Sequence, residues 1–259
     1  MLALATIMRR SHALLGLVGP ALFVAAWWIL ADLRLFPESL FPRPAAVAAG
    51  LWRELGSGRL IEDSIASLFR VLFGFLISVV LGVPLGLALG HSVRGRAMFM
   101  PLINFFRSLS PLAWIPFAIL WLGIGDPPAI FLIFMASFFP ILMSTTAAVA
   151  GIPNVYFRVA RDLGIQGTRL LREVTLPAIA PQVITALRVA AGLSWLVVVA
   201  AEMIAGRDGL GFAVWDARNG LRIDLLAAAM VVIGILGASL DALLMQLTRI
   251  PSVRWGYDR

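Results

Sequence analysis

The chain has 259 residues, of which 61% are hydrophobic and only 14% are charged, and its formal net charge is +7. Ordinary soluble domains carry about 25% charged residues, so this composition excludes that class. Cysteine and lysine are both absent, which excludes disulfides, thiolate nucleophiles and a P-loop of the GxxxxGK[ST] type. Any ATP used must therefore be hydrolysed by another subunit.

Long apolar segments predict an all-α polytopic membrane protein. Val71–Gly90, Ser108–Gly125 and Pro127–Phe157 are uncharged runs of 20, 18 and 31 residues, and about 20 helical residues cross a bilayer. Ala13–Ala31 is predicted to be a retained first span rather than a signal peptide. About six spans are expected, at 14–33, 69–90, 99–122, 129–150, 178–204 and 225–247.

The second and third predicted spans carry small residues and prolines. The segment GVPLGLALG (82–90) is expected to pack closely against another helix. Pro111 and Pro116 should kink or break the third span, and irregular backbone at membrane depth lies in protein or lines a cavity. Ser110, Pro111 and Trp114 are therefore pathway candidates, with ordinary packing as the alternative for Trp114.

The polar segment 154–176 separates the fourth and fifth spans. Asn154 is predicted to cap a short helix that presents Val155, Val159 and Leu163 on one face. Gly164 suits the left-handed end of that helix. A second short helix is expected to begin after Thr168, and Leu176-Pro177 to start the next span. The segment is either an interfacial element lying on the membrane or a docking module for a partner.

Ionisable residues within the later spans are functional candidates, because charge inside a bilayer is costly. A salt bridge from Asp241 to one arginine is one interpretation, and a direct substrate contact of Arg107 or Arg188 is the other. Glu202 is expected near the outer surface. The predicted transport-pathway residues are Arg107, Ser110, Pro111, Trp114, Arg188, Trp195 and Glu202.

The arginine distribution predicts the orientation. With both termini inside, the inner segments hold eleven arginines and three acids, whereas the outer segments hold seven arginines and nine acids. The basic balance is thus a topology signal, and no nucleic-acid partner is predicted. Both termini are expected in the cytoplasm.

Four ordered segments resemble one transporter family. The pattern of Ala160, Gly164, nine residues, Val174 and Leu176-Pro177 is similar to the "EAA" loop of permease subunits in bacterial ATP-binding-cassette (ABC) importers. SPLAWIPFAILWLGIG (110–125), LRVAAGLSWLVVVAAEM (187–203) and GLGF (209–212) resemble the nitrate/sulfonate/taurine branch, over about residues 41–255. Arg158 stands where the family usually has an acid, and Asp162 is a possible substitute.

The resemblance implies a type I importer permease fold, a single transmembrane domain over residues 1–259, with cytoplasmic coupling helices at 154–176. The residues implied to couple to the ATPase subunit are Arg158, Ala160, Asp162, Gly164, Val174, Leu176 and Pro177. The implied partners are ABC ATPase subunits, an extracytoplasmic substrate-binding protein and a second permease subunit, expected to be another copy of this chain. ATP-Mg would bind the ATPase subunit, and no catalytic, cofactor or metal residue is expected here.

The sequence therefore predicts an ATP-driven importer permease in the cytoplasmic membrane for a small oxyanion or organic anion. Nitrate, bicarbonate, taurine and alkanesulfonates are all compatible. A secondary transporter of a small anion is the alternative, but neither an internal repeat nor a midplane carboxylate pair supports it. An intramembrane hydrolase would need a nucleophile–base pair or a metal, for which the chain offers little.

Overall fold

The computed structural model describes residues 18–33, 35, 37 and 40–247. Their regular elements are all helical: α1 (Val18–Asp32), α2 (Pro44–Ser57), α3 (Arg59–His91), α4 (Val93–Ser108), a 3₁₀ turn (Pro111–Trp114), α5 (Ile115–Leu122), α6 (Asp126–Ala150), α7 (Asn154–Asp162), α8 (Gly167–Leu170), a π-helical turn (Leu171–Thr175), α9 (Leu176–Ala205), α10 (Leu210–Asn219) and α11 (Ile223–Leu247).

Four described helices are long and apolar enough to cross a membrane: Arg59–His91, Asp126–Ala150, Gly167–Ala205 and Ile223–Gln246. The helix pair from Val93 to Leu122 makes a fifth candidate, bent by 83° at its break. The first predicted span corresponds to the shorter apolar α1, and its residues 14–17 lie outside the described residues. The predicted all-α membrane fold is thus confirmed, with a span count of four or five among the described residues against about six predicted.

Proline positions explain the bend in the third predicted span. Leu109 and Ser110 are extended, and Pro111 and Pro116 occupy the first turns of the 3₁₀ turn and of α5. Proline is tolerated there because the first N–H groups of a helix have no intrahelical acceptor. The break predicted from Pro111 and Pro116 is therefore present, and it lies immediately before Pro111.

The described residues divide into two compact units, those up to 61 with 214–231 and residues 62–213 with those from 232 onward. In the second unit, α6 is the central helix. Its side chains share one buried cluster with α5 and α9, made by Ile115, Ala118, Ala129, Leu132 and Ala201. A second cluster joins the end of α6 to the start of α9, made by Ala148, Val149, Ile152 and Ile179.

A stripe of small residues brings α3 close to α6. Every fourth residue of α3 is small along this face, at Gly74, Ser78, Gly82, Gly86 and Gly90, and their contacts on α6 are Ile133, Ser137, Ile141, Thr145 and Val149. A β-carbon at Gly86 would lie only 2.6 Å from the Cβ of Thr145. The expected packing role of segment 82–90 is therefore confirmed.

In the first unit, an ion-pair cluster lies at the start of α3. Arg59 donates to the carboxylate of Asp216 at 2.7 Å, and Arg222 donates to the same oxygen at 3.0 Å. The hydrogen bond from Arg59 is the main cause that lowers the pKa of Asp216. All three side chains are partly exposed, so these pairs are expected to stabilise the fold only modestly.

The segment 154–176 differs from its prediction in two details. Asn154 is the first helical residue of α7 and does not cap it, because Pro153 occupies the cap position. The second helix is not separate: it begins at Gly167 and runs without a break to Ala205. A π-helical turn at Leu171–Thr175 precedes Pro177. Its wider winding accommodates a proline that has no N–H and would clash in a regular helix.

The predicted left-handed end of α7 is confirmed. Gly164 has φ +71°, and its N–H bonds the carbonyl of Arg161 at 3.0 Å. The N–H of Ile165 reaches back to the carbonyl of Ala160 at 2.8 Å. These two bonds make a Schellman motif, which reverses the chain at a position where glycine avoids the β-carbon penalty.

Candidate functional site

The α4–α5 break places an arginine in a cavity. Arg107 lies in the last turn of α4 and is exposed on this chain, and its guanidinium has no ion-pair or hydrogen-bond partner within the described residues. It lines a cavity of about 450 Å³ with Pro111 and with Ser144 of α6, among apolar side chains such as Phe106 and Met143. None of the described residues around this Arg107 cavity is acidic, so its electrostatic environment favours an anion.

A second cavity of about 410 Å³ shares Pro140 and Ser144 with the Arg107 cavity and lies between α6 and α9. Gln182 and Thr185 supply its other polar groups. The Thr185 hydroxyl already donates to the carbonyl of Pro181 at 3.0 Å. The side chains of Ser144 and Gln182 have no hydrogen-bond partner in the described part of the chain, so both can donate to an oxyanion.

The other predicted aromatic and serine candidates have different surroundings. Ser110 is exposed at the break. Trp114 packs against the α5–α6–α9 cluster and lies 6.4 Å, ring to ring, from both Phe106 and Phe131. Trp195 is buried, and its indole N–H donates to the carbonyl of Ile233 in α11 at 3.1 Å. The contacts of both tryptophans are those of packing residues, and their pathway role stays a prediction.

Arg188 and Asp241 form the ion pair that joins α9 to α11. The Arg188 Nη2 lies 2.9 and 3.0 Å from the two carboxylate oxygens of Asp241. The side chains are 31% and 59% exposed, respectively. The salt bridge expected for Asp241 therefore forms with Arg188, which lines neither cavity. Direct contact of Arg188 with substrate stays a prediction.

A buried arginine that the sequence analysis leaves without a role organises the opposite end of α9. Arg70 is 2% exposed, and its guanidinium binds three carboxylates. Its Nε lies 2.6 Å from Asp126, its Nη1 lies 2.6 Å from Glu202, and its Nη2 binds Asp208. Glu202 is itself 1% exposed. These four residues are called the Arg70 cluster below, and mutual pairing is what makes such burial tolerable.

The GLGF segment closes the Arg70 cluster with backbone groups. Each of three N–H groups donates to a buried side chain: Gly209 to Asp63 at 2.8 Å, Leu210 to Ser67 at 2.9 Å, and Gly211 to Glu202 at 2.9 Å. Gly209 has φ +99°, and a β-carbon there would lie 2.6 Å from the Nη1 of Arg70. Glycine is therefore required for the backbone to approach the cluster.

The Arg70 cluster also changes how Glu202 is understood. From the sequence, Glu202 is a pathway candidate. In the structure its carboxylate is enclosed by Arg70, Ser67 and the Gly211 N–H, and it lines neither cavity. The sequence does contain a signal for this pairing: Arg70 lies at the start of the second predicted span, and Glu202, of opposite charge, lies at the end of the fifth. Using it requires knowing that α3 and α9 are neighbours.

Three of the seven predicted coupling residues line one largely apolar groove of about 670 Å³, which Glu173 also lines. Ala160, Val174 and Pro177 line it, together with the exposed face of α7. Val155, Val159 and Leu163 on that face are 52%, 51% and 69% exposed. Arg158 and Asp162 are exposed, Leu176 is 39% exposed, and Gly164 forms the reversal beside the groove. The arrangement leaves an apolar surface on a short helix without a partner in the described part of the chain.

Comparison with known proteins identifies the family. Residues 64–254 match the binding-protein-dependent transport system inner membrane components. The chain is 35% identical over 234 residues to the taurine transport system permease protein TauC of Escherichia coli, covering 88% of this chain and 85% of TauC. It is 38% identical over 245 residues to the bicarbonate transport system permease protein CmpB of Synechococcus elongatus, covering 91% and 88%.

One solved ABC transporter shares the fold of this chain. The structure matches a chain of the MetNI methionine ABC transporter in an inward-facing form, with a TM-score of 0.59 over 73% of this chain and 96% of that chain at 18% identity. The predicted resemblance to ABC importer permeases is confirmed, and ATP-driven import is favoured over secondary transport. ATP hydrolysis belongs to a separate ATPase subunit, and the family implies a substrate-binding protein as a further partner. The chain belongs to the family of binding-protein-dependent transport system inner membrane components, the multi-pass permease subunits of ABC importers.

Proposed function

We propose that this permease conducts a small oxyanion or organic anion along a pathway that includes the Arg107 cavity and the adjoining cavity at Gln182. The proposal is carried by Arg107 itself. Among the described residues its guanidinium has no partner, and no acidic residue lines its cavity. Ser144 borders both cavities, so an anion leaving Arg107 meets a hydroxyl and then an amide donor.

The position of Arg107 along α4 supports a water-filled pathway. At 1.5 Å per residue, Arg107 lies about 21 Å of helix beyond Val93, where α4 begins. Placing an arginine at the centre of a membrane helix costs at least about 2.5 kcal/mol, and such residues face a cavity or a partner. Since Arg107 has no partner within the described residues, a cavity that holds water and substrate is the explanation that lowers this cost.

The names of the two relatives support the substrate class. One is a taurine and the other a bicarbonate transport permease. Taurine carries a sulfonate and bicarbonate a carboxylate-like group, so both present anionic oxygens to a transporter. A single guanidinium with neutral donors can bind either group by charge-assisted hydrogen bonds.

The orientation and the assembly belong to the same proposal. The excess of arginine supports cytoplasmic termini and a cytoplasmic 154–176 segment. Arg107 is exposed on the single chain, so a pathway needs a second wall, which a second copy of this chain supplies.

The coupling groove is the proposed docking surface of the ATPase subunit. α7 has nine residues, and isolated helices shorter than about 12–15 residues are marginal in water. Its exposed apolar face therefore needs a protein surface to cover it. Because the helix from Gly167 continues to Ala205 without a break, a displacement at the groove is transmitted directly along α9.

The test is anion uptake by the transporter reconstituted with its ATPase subunit and binding protein. Arg107→Gln should lower ATP-driven uptake at least tenfold, as expected for loss of a charge-assisted contact, while assembly stays intact. Arg94→Gln is the matched control: it lies on the same helix, is exposed, and lines neither cavity. Unchanged uptake by the Arg107→Gln transporter would contradict the proposed pathway.

Two further measurements test the orientation and the assembly. The native chain has no thiol, so a single cysteine introduced at Gln166 reports its side of the membrane cleanly. Labelling by an impermeant reagent from outside intact cells would refute the cytoplasmic assignment. Native mass spectrometry of the purified transporter should give two copies of this chain, and a mass with two different permeases would refute the homodimer.

A further inference from the structure

A third cavity, of about 410 Å³, lies on the other side of α7 from the coupling groove. The groove is lined by Val155, Val159 and Leu163 of α7, whereas this cavity is lined by Asn154, Phe157 and Arg161. At 100° per residue these two sets lie on opposite faces of the helix. The remaining walls come from the α3–α4 junction, the end of α6 and residues 165–170.

The charges around this Arg161 cavity have one sign. Arg96 and Arg161 both line it, and none of its described lining residues is acidic. The guanidinium of Arg161 has no hydrogen bond or ion pair within the described residues. Arg96 donates to the carbonyl of Gly90, which leaves its other guanidinium N–H groups available. Two guanidinium groups without a counter-ion in one cavity are a binding arrangement for an anion.

Neutral groups in the cavity are suited to the same ligand. Gln166 and Gly167 line the cavity where the helix that continues to Ala205 begins, and no side chain caps that end. Free N–H groups at a helix start favour a negative charge. His91 is already used, because one ring nitrogen lies 2.9 Å from the Leu87 carbonyl and the other 3.3 Å from the Thr175 hydroxyl. The anion contacts are thus assigned to Arg96, Arg161 and Gln166.

We propose that the Arg161 cavity binds an oxyanion group that regulates coupling by tying α7 to the α3–α4 junction. The group is a small free oxyanion in the cytoplasm or the phosphate of an anionic lipid headgroup. The cytoplasmic location rests on the orientation given under the proposed function. An imported oxyanion has the same chemistry, so the product of transport can act on the coupling helix from behind its docking face and lower ATP hydrolysis.

Binding is tested on the full permease chain in nanodiscs of neutral lipid, with sulfate as the probe and calorimetry as the readout. The Arg107→Gln protein is the background, because it removes the proposed pathway site. Adding Arg161→Gln should weaken sulfate binding at least tenfold, as expected for one charge-assisted contact. Adding Arg94→Gln, an exposed arginine near the same junction that does not line the cavity, should leave binding unchanged.

The lipid source is distinguished in a second arm. If sulfate does not bind, nanodiscs containing phosphatidylglycerol are used, and lipid retained by the chain is measured by native mass spectrometry. Retention that Arg161→Gln abolishes and Arg94→Gln preserves would assign the headgroup. Sulfate binding and lipid retention that are both independent of Arg161, or equally sensitive to Arg94, would overturn the site.

The regulatory step has its own readout. In proteoliposomes of the assembled transporter with wild-type Arg107, sulfate on the ATPase side should lower substrate-stimulated ATP hydrolysis at least twofold. The Arg161→Gln transporter should be insensitive to that sulfate. An equal response in both would overturn the regulatory role. Loss of uptake in Arg107→Gln with intact sulfate binding separates the two sites, so either proposal can fail without the other.

Discussion

Replacing Arg70 by methionine tests how the Arg70 cluster holds α3, α6 and α9 together. Methionine keeps much of the side-chain length and removes the charge. Glu202 then keeps the Ser67 hydroxyl and the Gly211 N–H but loses its cation. A carboxylate that is 1% exposed is left without a counter-charge. The folded state is therefore expected to lose stability well beyond that of an ordinary ion pair.

The magnitude follows from burial. Removing one partner of a buried pair costs about 3–5 kcal/mol, because the remaining charge stays desolvated. Asp126 and Asp208 are 51% and 60% exposed, so water solvates them after the substitution and they add little. The matched control is the exposed pair of Arg169 and Glu173 on one helix, for which Arg169→Gln is expected to cost at most about 0.5 kcal/mol.

The assay is the free energy of unfolding of the purified chain in mixed micelles, titrated with a denaturing detergent. Arg70→Met should lower it by about 3–5 kcal/mol relative to Arg169→Gln. The Arg70→Met/Glu202→Leu double variant should recover part of that loss, because the unpaired buried charge is gone. Two results would refute the argument. One is a free energy of unfolding of Arg70→Met within about 1 kcal/mol of that of the Arg169→Gln control. The other is a double variant whose loss of stability equals the sum of the losses of the two single variants.

Three other expectations concern the coupling segment, the α9–α11 pair and the ion pair at the start of α3. A valine side chain at Gly164 would have space, but the backbone there has a φ of +71°, which costs a non-glycine residue about 1–2 kcal/mol. Gly164→Val should therefore weaken co-purification of the ATPase subunit, and co-purification at the wild-type level would contradict this. If Arg188 contacts substrate, Arg188→Gln should lower uptake while the protein still inserts and assembles. If Arg188→Gln instead impairs membrane insertion, and adding Asp241→Asn restores insertion, the Arg188–Asp241 pair is structural. The hydrogen bond from Arg59 lowers the pKa of Asp216 in the folded state. The ionised Asp216 carboxylate therefore stabilises the folded state fully above the ordinary aspartate pKa of about 3.9, and this stabilisation is lost as pH falls through the lower folded-state pKa. The stability difference between wild type and Asp216→Asn should be constant from about pH 5 to 7 and shrink below about 3.9, and a difference that grows on acidification would contradict the assignment.

The sequence-based predictions succeed where the signal is local. The span of α6 follows from an uncharged run, the left-handed Gly164 from its place after Leu163, and the break near Pro111 from the missing N–H of proline. The packing of segment 82–90 on α6 follows from spacing alone. Each of these depends on residues close together in the chain.

The predictions fail or stay silent where the partner is distant. Arg70 binds Glu202 across 132 positions, and no local pattern indicates that pairing. Leu176 begins α9 as predicted, but the π-helical turn at Leu171–Thr175 joins α9 to the helix from Gly167, so no break separates the second coupling helix from the span. The lack of a partner for Arg107 is likewise visible only once the surrounding helices are in place.

The most direct measurement of the central claim is the reaction rate of a single cysteine at Ser144 with an anionic, water-soluble thiol reagent. Ser144 borders both proposed pathway cavities, and the chain has no other thiol. The control is a cysteine at Val80, which is 65% exposed on the single chain but lies in the middle of the apolar span of α3 and lines neither cavity. The account predicts that the Ser144 cysteine reacts in the membrane, that the Val80 cysteine does not, and that Arg107→Gln slows the reaction about tenfold by removing the attracting charge. A Ser144 cysteine as unreactive as the one at Val80, or one that reacts independently of Arg107, would contradict an anion pathway through this cavity.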